Sequence, residues 1–169
     1  VGRYVGKNAL ASVGGSSGQI LILVINFFTG LTGGASVFIS QFFGAKDSKR
    51  LHHSLHTAYT FSIVGSLIIM VLGMSLAPAM LRAMHTPTEL MEESILYLRI
   101  YFGGILFVFI YNIGSSILRA IGDSKRPLYY LIICCILNIT LDILMVTVFH
   151  MGLAGVAIAT VISQAVSAL

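Results

Sequence analysis

Three polar side chains stand where apolar ones are the rule. Asn138 and Asp142 lie in the run Leu128 to Phe149, and Thr160 lies in the run after the turn His150-Met151-Gly152. Four residues apart, the amide and the carboxylate project from one face of a helix. From Met151, Asp142 is nine residues back and Thr160 nine residues forward. In an antiparallel helical hairpin, equal distance from the turn is equal depth, here roughly 13 Å. A carboxylate held in hydrocarbon costs on the order of 2.5–3.5 kcal/mol on insertion scales, so it marks an ion or proton site by default. The chemistry suited to the three is reversible binding of a small cation or a proton. The plainer alternative is an aspartate that only packs against a neighbouring helix.

The elements that must position these residues are membrane helices. Of 169 residues, 57% are hydrophobic and 9% charged, with a mean hydropathy of +0.95. A soluble domain carries about 25% charged residues. The fold class expected is therefore all-α, a polytopic transmembrane helix bundle. Spans are expected over about 19–43, 54–81, 94–118, 128–149 and 153–169, preceded over 1–16 by the tail of another helix and a connection. The formal charge of +4 does not point to nucleic acid, because the basic residues sit in short loops between spans. Lys46, Lys49 and Arg50 share a side with Arg119, Lys125 and Arg126, which should be cytoplasmic. The opposite side holds Arg82, Glu89, Glu92, Glu93 and His150; Arg3 and Lys7 fall there too, against the rule. Both basic loops offer Gly to stop one helix and Asp-Ser to start the next. A duplicated helix pair and the common demands of a cytoplasmic turn explain this equally well. Adjacent Cys134 and Cys135 staple nothing. The absent initiator Met and the apolar end are those expected of a fragment of a longer chain.

A second constellation is Asn112 in the third span. Tyr97 and Tyr101 share its face on a continuous helix, and Asn112 is expected within roughly 6 Å of the depth of Asn138. A tyrosine-lined face bearing an amide suits amphipathic organic cations. For Tyr97, near the outer end, an interfacial aromatic belt is the plainer reading. Arg99 is expected to snorkel outward. His52 and His56 have i,i+4 spacing but no third ligand nearby, so a basic interface is expected rather than a metal site. Gly30 and Gly34, and the small residues from Gly152 to Ala159, are expected to bring helices close together. No phosphate loop, catalytic triad or zinc motif is present, so neither enzyme activity nor a cofactor is expected.

The segments VGRYVGKNALASVG, GLTGGASVFISQFFGAKD, RAIGDSKRP, LNITLD and GLAGVAIATVISQ follow one another over nearly the whole chain. Together they resemble the multidrug and toxic compound extrusion (MATE) family. The resemblance implies a twelve-helix antiporter of two six-helix lobes in a bacterial cell membrane, exporting amphipathic, often cationic drugs against entering Na⁺ or H⁺. Residues 1–169 would be a partial amino-terminal lobe: helices two to six with the tail of helix one. Asn138 and Asp142 match the family's helix-five Asn and Asp, and Thr160 its helix-six Thr. With a helix-one Asp these form the amino-lobe cation site, where Na⁺ would sit at Asp142. That helix-one Asp is expected upstream of Val1. Asn112 resembles a helix-four amide lining the same cavity. The partners implied are a small-molecule drug, membrane lipid and the carboxy-terminal lobe of the same chain. A lipid-linked oligosaccharide flippase of the same superfamily would show a more basic cavity. A non-transporting scaffold subunit would tolerate neutral substitution of Asn138, Asp142 and Thr160.

Overall fold

The computed structural model describes Ala11 and residues 13–169, and every regular element among them is helical. The expected helix tail with Arg3 and Lys7 therefore falls mostly outside the described residues. In chain order the helices are α1 (Ser16–Gly44), α2 (Ser48–Ala83), α3 (Thr88–Gly103), α4 (Ile105–Ala120), α5 (Lys125–Ile143) and α6 (Gly152–Ala168). A π-helical turn, Leu144–Val148, continues α5. Three of these helices are long and apolar enough to cross a membrane: α1, α2, and α5 with its π turn. α3 and α4 qualify jointly, and α6 is a shorter apolar helix. Large apolar side chains such as Leu23, Phe38, Phe61, Ile136 and Ile139 are exposed along them, as a lipid-embedded bundle requires.

The basic loops start their helices by the same device. Asp47 Oδ1 accepts the Arg50 backbone N–H at 3.0 Å, and Asp123 Oδ1 accepts those of Lys125 and Arg126 at 3.2 Å. Each aspartate also pairs with the arginine three residues on, at 3.3 Å and 3.1 Å. The helix stops differ. Gly122 takes a left-handed φ of +91° in the second loop, but in the first Gly44 remains helical and Lys46 turns, at φ +56°.

Small residues decide how closely the helices meet. α2 buries Ala58, Ser62, Ser66, Gly73, Ala77 and Leu81, a stripe stepping mostly by four residues. Lipid gives apolar helices no hydrophobic reason to associate, so close van der Waals approach along such a stripe holds them. The Phe102 ring lies directly over Gly73, and Phe28 of α1 stacks on Phe109 of α4 at 3.9 Å. Thus α2 is packed by α1, α3 and α4, while α6 is packed by α3, α4 and α5; α5 rests chiefly on α6. Of the two small-residue runs expected to do this, the second meets close neighbours among the described residues. A Cβ on Gly155 would come within 2.9 Å of Met145 and 3.0 Å of Met151. Gly30, Gly33 and Gly34 meet nothing within 4 Å among the described residues, because they lie on an open face of α1.

The stretch expected as one span over 94–118 is broken. α3 and α4 meet at Gly104 with a bend of 49°. The Gly104 N–H is shared between the carbonyls of Ile100 (3.2 Å) and Tyr101 (3.0 Å). A side chain at Gly104 would run into both methyls of Val161 on α6. Gly104→Ala should therefore destabilise the protein by about 1–3 kcal/mol despite alanine's better helix propensity. A lowered thermal midpoint checks this, and Val161→Ala in the same chain should restore most of it. An unshifted midpoint in the single variant would remove the steric explanation.

Candidate functional site

The site is built on the α5–α6 hairpin. The turn between the two helices needs left-handed residues at His150 (φ +52°) and Gly152 (φ +56°). Before it, the π turn closes with Phe149 N–H bonding Leu144 O at 3.2 Å. Across the hairpin, Asn138 Nδ2 donates to Thr160 Oγ1 at 3.3 Å. Nearer the basic loops, Ser167 Oγ donates to Tyr130 O at 3.3 Å, which keeps nearly the same antiparallel register.

That register differs from the one expected. Thr160 meets Asn138, each eleven residues from Phe149, rather than Asp142. A π-helical turn rises less per residue than an α-helical one, so α5 uses more residues to reach a given depth. Asp142 thus lies one helical turn, roughly 6 Å, closer to the outer hairpin turn than the Asn138–Thr160 pair.

Asp142 is half-buried, and its Oδ1 is out of contact with solvent and without a hydrogen-bond partner among the described residues. Burying an ionised carboxylate oxygen unpaired is costly, so the group demands a proton or a cation. Its neighbours suit a cation. Thr160 Oγ1 gives its own hydrogen to Val156 O at 2.9 Å. With one Nδ2 hydrogen committed to Thr160, Asn138 still offers its Oδ1 to other partners as an acceptor. Hard monovalent and divalent cations take such oxygen donors.

α3 brings the two tyrosines to this layer. Tyr97 and Tyr101 are buried in the core cluster that also holds Leu153 and Ala157 of α6, their ring centroids 6.3 Å apart and the rings tilted by 41°. Burial excludes the lipid-facing belt expected for Tyr97. Arg99, between them in sequence, is exposed.

Asn112 stands apart. Its amide donates to Val108 O of its own helix at 2.7 Å. α4 and α6 run in the same direction, with Gly104 against Val161, so Asn112 is roughly 12 Å nearer the basic-loop end than Val161. The bend of 49° at Gly104 falls between Asn112 and the two tyrosines, inside the stretch over which their common face was counted.

One residue went unnoticed in the sequence. Gln164, one turn beyond Thr160 on α6, buries Oε1 with no partner among the described residues. The i,i+4 spacing that singled out Asn138 with Asp142 also joins Thr160 to Gln164, and was the available signal. The histidine pair closes to 3.0 Å between the Nε2 atoms of His52 and His56. No group of three metal-ligating side chains gathers among the described residues.

Comparison with known proteins bears on this arrangement. The MatE family model matches residues 1–144. The probable multidrug resistance protein YoeA of Bacillus subtilis (strain 168) is 37% identical over 167 residues, 96% of this chain and 36% of that protein. A solved multidrug resistance MATE family transporter of the MOP superfamily, in an inward-facing conformation, superposes with a TM-score of 0.92 at 27% identity, over 98% of this chain and 37% of its own. An outward-facing structure described in the same words gives 0.91 at 27% identity, over 97% and 36%. The chain thus spans little more than a third of the length of the proteins it matches.

Proposed function

The chain belongs to the MatE family, and from that premise we propose that the protein containing it is a cation-coupled antiporter, exporting amphipathic, often cationic drugs in exchange for Na⁺ or H⁺. Residues 1–169 are then part of its amino-terminal lobe, in a bacterial cell membrane. The observation that carries the reading is the buried, unpartnered Oδ1 of Asp142 beside the Asn138–Thr160 pair.

In this mechanism Asp142 is the exchangeable carboxylate. Asn138 Oδ1 and Thr160 Oγ1 supply neutral oxygens to an entering Na⁺, while a proton would satisfy Oδ1 directly. Once the coupling ion has left, the uncompensated carboxylate attracts a cationic drug, while Tyr97 and Tyr101, buried in the core, back the wall of the cavity without offering it an open face. Drug and ion compete for one negative charge, so their occupancies alternate. Each favours a different packing of the two lobes, and transport follows from the population shift between inward- and outward-open states. Equal likeness to an inward-facing and an outward-facing relative supports a lobe that moves as a body. Asn112 is assigned a lower station on the cavity wall, toward the cytoplasmic end.

The test is transport by the full-length protein in proteoliposomes. An imposed inward gradient of Na⁺ or H⁺ should drive efflux of a fluorescent cationic dye, and dissipating the effective gradient with its ionophore should stop it. Dye movement indifferent to both gradients would sink the antiport reading and leave a passive or scaffolding role.

A further inference from the structure

The bundle has a second concave feature, remote from Asp142. Between α1 and α2 an open groove of about 510 Å³ is walled by Phe38, Phe42 and Phe61, with Ala35 and Ala58 at its floor. Its size falls in the usual range for small-molecule sites, about 300–1,000 Å³. Two polar residues at its end, His53 and Ser54, are shared with a wider basin that also takes in Lys49, Arg50, His52 and His56. The apolar slot therefore opens, at the basic-loop end of the bundle, onto a cationic mouth.

The charge of that mouth survives inspection of its one acidic member. Asp47 also lines the basin, but it is occupied: Oδ1 caps the Arg50 N–H at 3.0 Å and Oδ2 pairs with Arg50 Nε at 3.3 Å. Lys49 remains uncompensated. The amino terminus of the 36-residue α2 starts at the same place and directs its positive dipole end there. Lys49 and Arg50 are both exposed, Lys49 without an acidic partner among the described residues and Arg50 paired with Asp47 through Nε.

We propose that this groove is a binding site for one anionic phospholipid of the cytoplasmic leaflet, its phosphate held by Lys49, Arg50 and His53 and one acyl chain laid between Phe38, Phe42 and Phe61. The pairing of an aromatic slot with a cationic mouth on one continuous surface fits an amphiphile with an anionic head. Neither a free anion nor a neutral lipid uses both parts.

The experiment uses the full-length protein, equilibrated with equal amounts of phosphatidylglycerol and phosphatidylcholine and examined by native mass spectrometry. Wild type should retain one phosphatidylglycerol in preference to phosphatidylcholine. Lys49→Gln with Arg50→Gln keeps the backbone N–H that Asp47 caps, and should cut that retention by about tenfold or more. Thr57→Phe, at an exposed position lining the groove, should cut it similarly by filling the slot while leaving the charges in place. Excess glycerol 3-phosphate should not displace the lipid. Equal retention of the two lipids by wild type, or undiminished retention by either variant, overturns the proposal. Displacement by glycerol 3-phosphate also overturns it, in favour of a simple anion site.

Discussion

Asp142→Asn in the full-length protein should abolish gradient-driven export while leaving the protein folded and in the membrane. The substitution keeps the side chain's shape and removes only its charge. If the carboxylate is what a coupling cation binds, losing it is equivalent to breaking a buried ion pair from one side, a loss of about 3–5 kcal/mol. Apparent cation affinity should then fall roughly 100- to 5,000-fold. A folding defect predicts a different pattern, because the ionised wild-type carboxylate is itself a burden when nothing is bound. With Oδ1 buried and unpartnered, the neutral amide is expected to be at least as stable as wild type in cation-free buffer. Cation at ~100 times the wild-type dissociation constant should stabilise wild type by about 2.7 kcal/mol and the variant by no more than about 0.4 kcal/mol. Dye export supplies one measurement and thermal midpoints with and without Na⁺, across pH, supply the other. Wild-type export by the variant would show that Asp142 is a packing residue. A lowered midpoint without cation would show that export failed for want of structure.

How far the sequence revealed this site depends on which physical signal each residue carried. Asp142, Asn138 and Thr160 stood out because polar groups inside apolar runs are costly, and that cost is independent of the final fold. The all-helical membrane bundle followed from composition for the same reason. Register was harder. Counting outward from Met151 levelled Thr160 with Asp142, whereas the hydrogen bond joins it to Asn138. The discrepancy lies in Leu144–Val148, an apolar pentapeptide with nothing in its composition to announce a π turn. Tyr97, Tyr101 and Asn112 were grouped by helical periodicity, which did not foresee the 49° bend at Gly104 between them. Glycine alone does not specify a bend. What makes this one necessary is Val161, far along the chain, and the same holds for Gly73 beneath Phe102. The small-residue stripe of α2 shows the converse. Its spacing was present in Ala58, Ser62, Ser66, Gly73 and Ala77, but small residues are legible as an interface only once a partner surface is known. The glycines of α1, more conspicuous in the sequence, meet no neighbour among the described residues.

Thr160→Val should be the second most damaging change at the site, and its effect should depend on Asn138. Valine has nearly the shape of threonine, so the packing of α5 on α6 is kept. What disappears is the acceptor of Asn138 Nδ2 and one oxygen available to a cation. Leaving a part-buried donor unsatisfied costs about 1–3 kcal/mol. The freed amide can also rotate, exchanging its Oδ1 for an N–H donor that repels a cation. Apparent affinity for the coupling ion should therefore weaken by roughly tenfold or more, with the maximal export rate at saturating ion little changed. Thr160→Ser, which keeps the hydroxyl, should restore most of the loss. Asn138→Leu should behave like Thr160→Val, and the double variant should be barely worse than either single one, since each already dismantles the same pair. Strict additivity of the two single effects would mean that Asn138 and Thr160 act separately. An unaltered ion dependence in Thr160→Val would place the cation site elsewhere on the Asp142 carboxylate, toward Tyr97 and the outer turn.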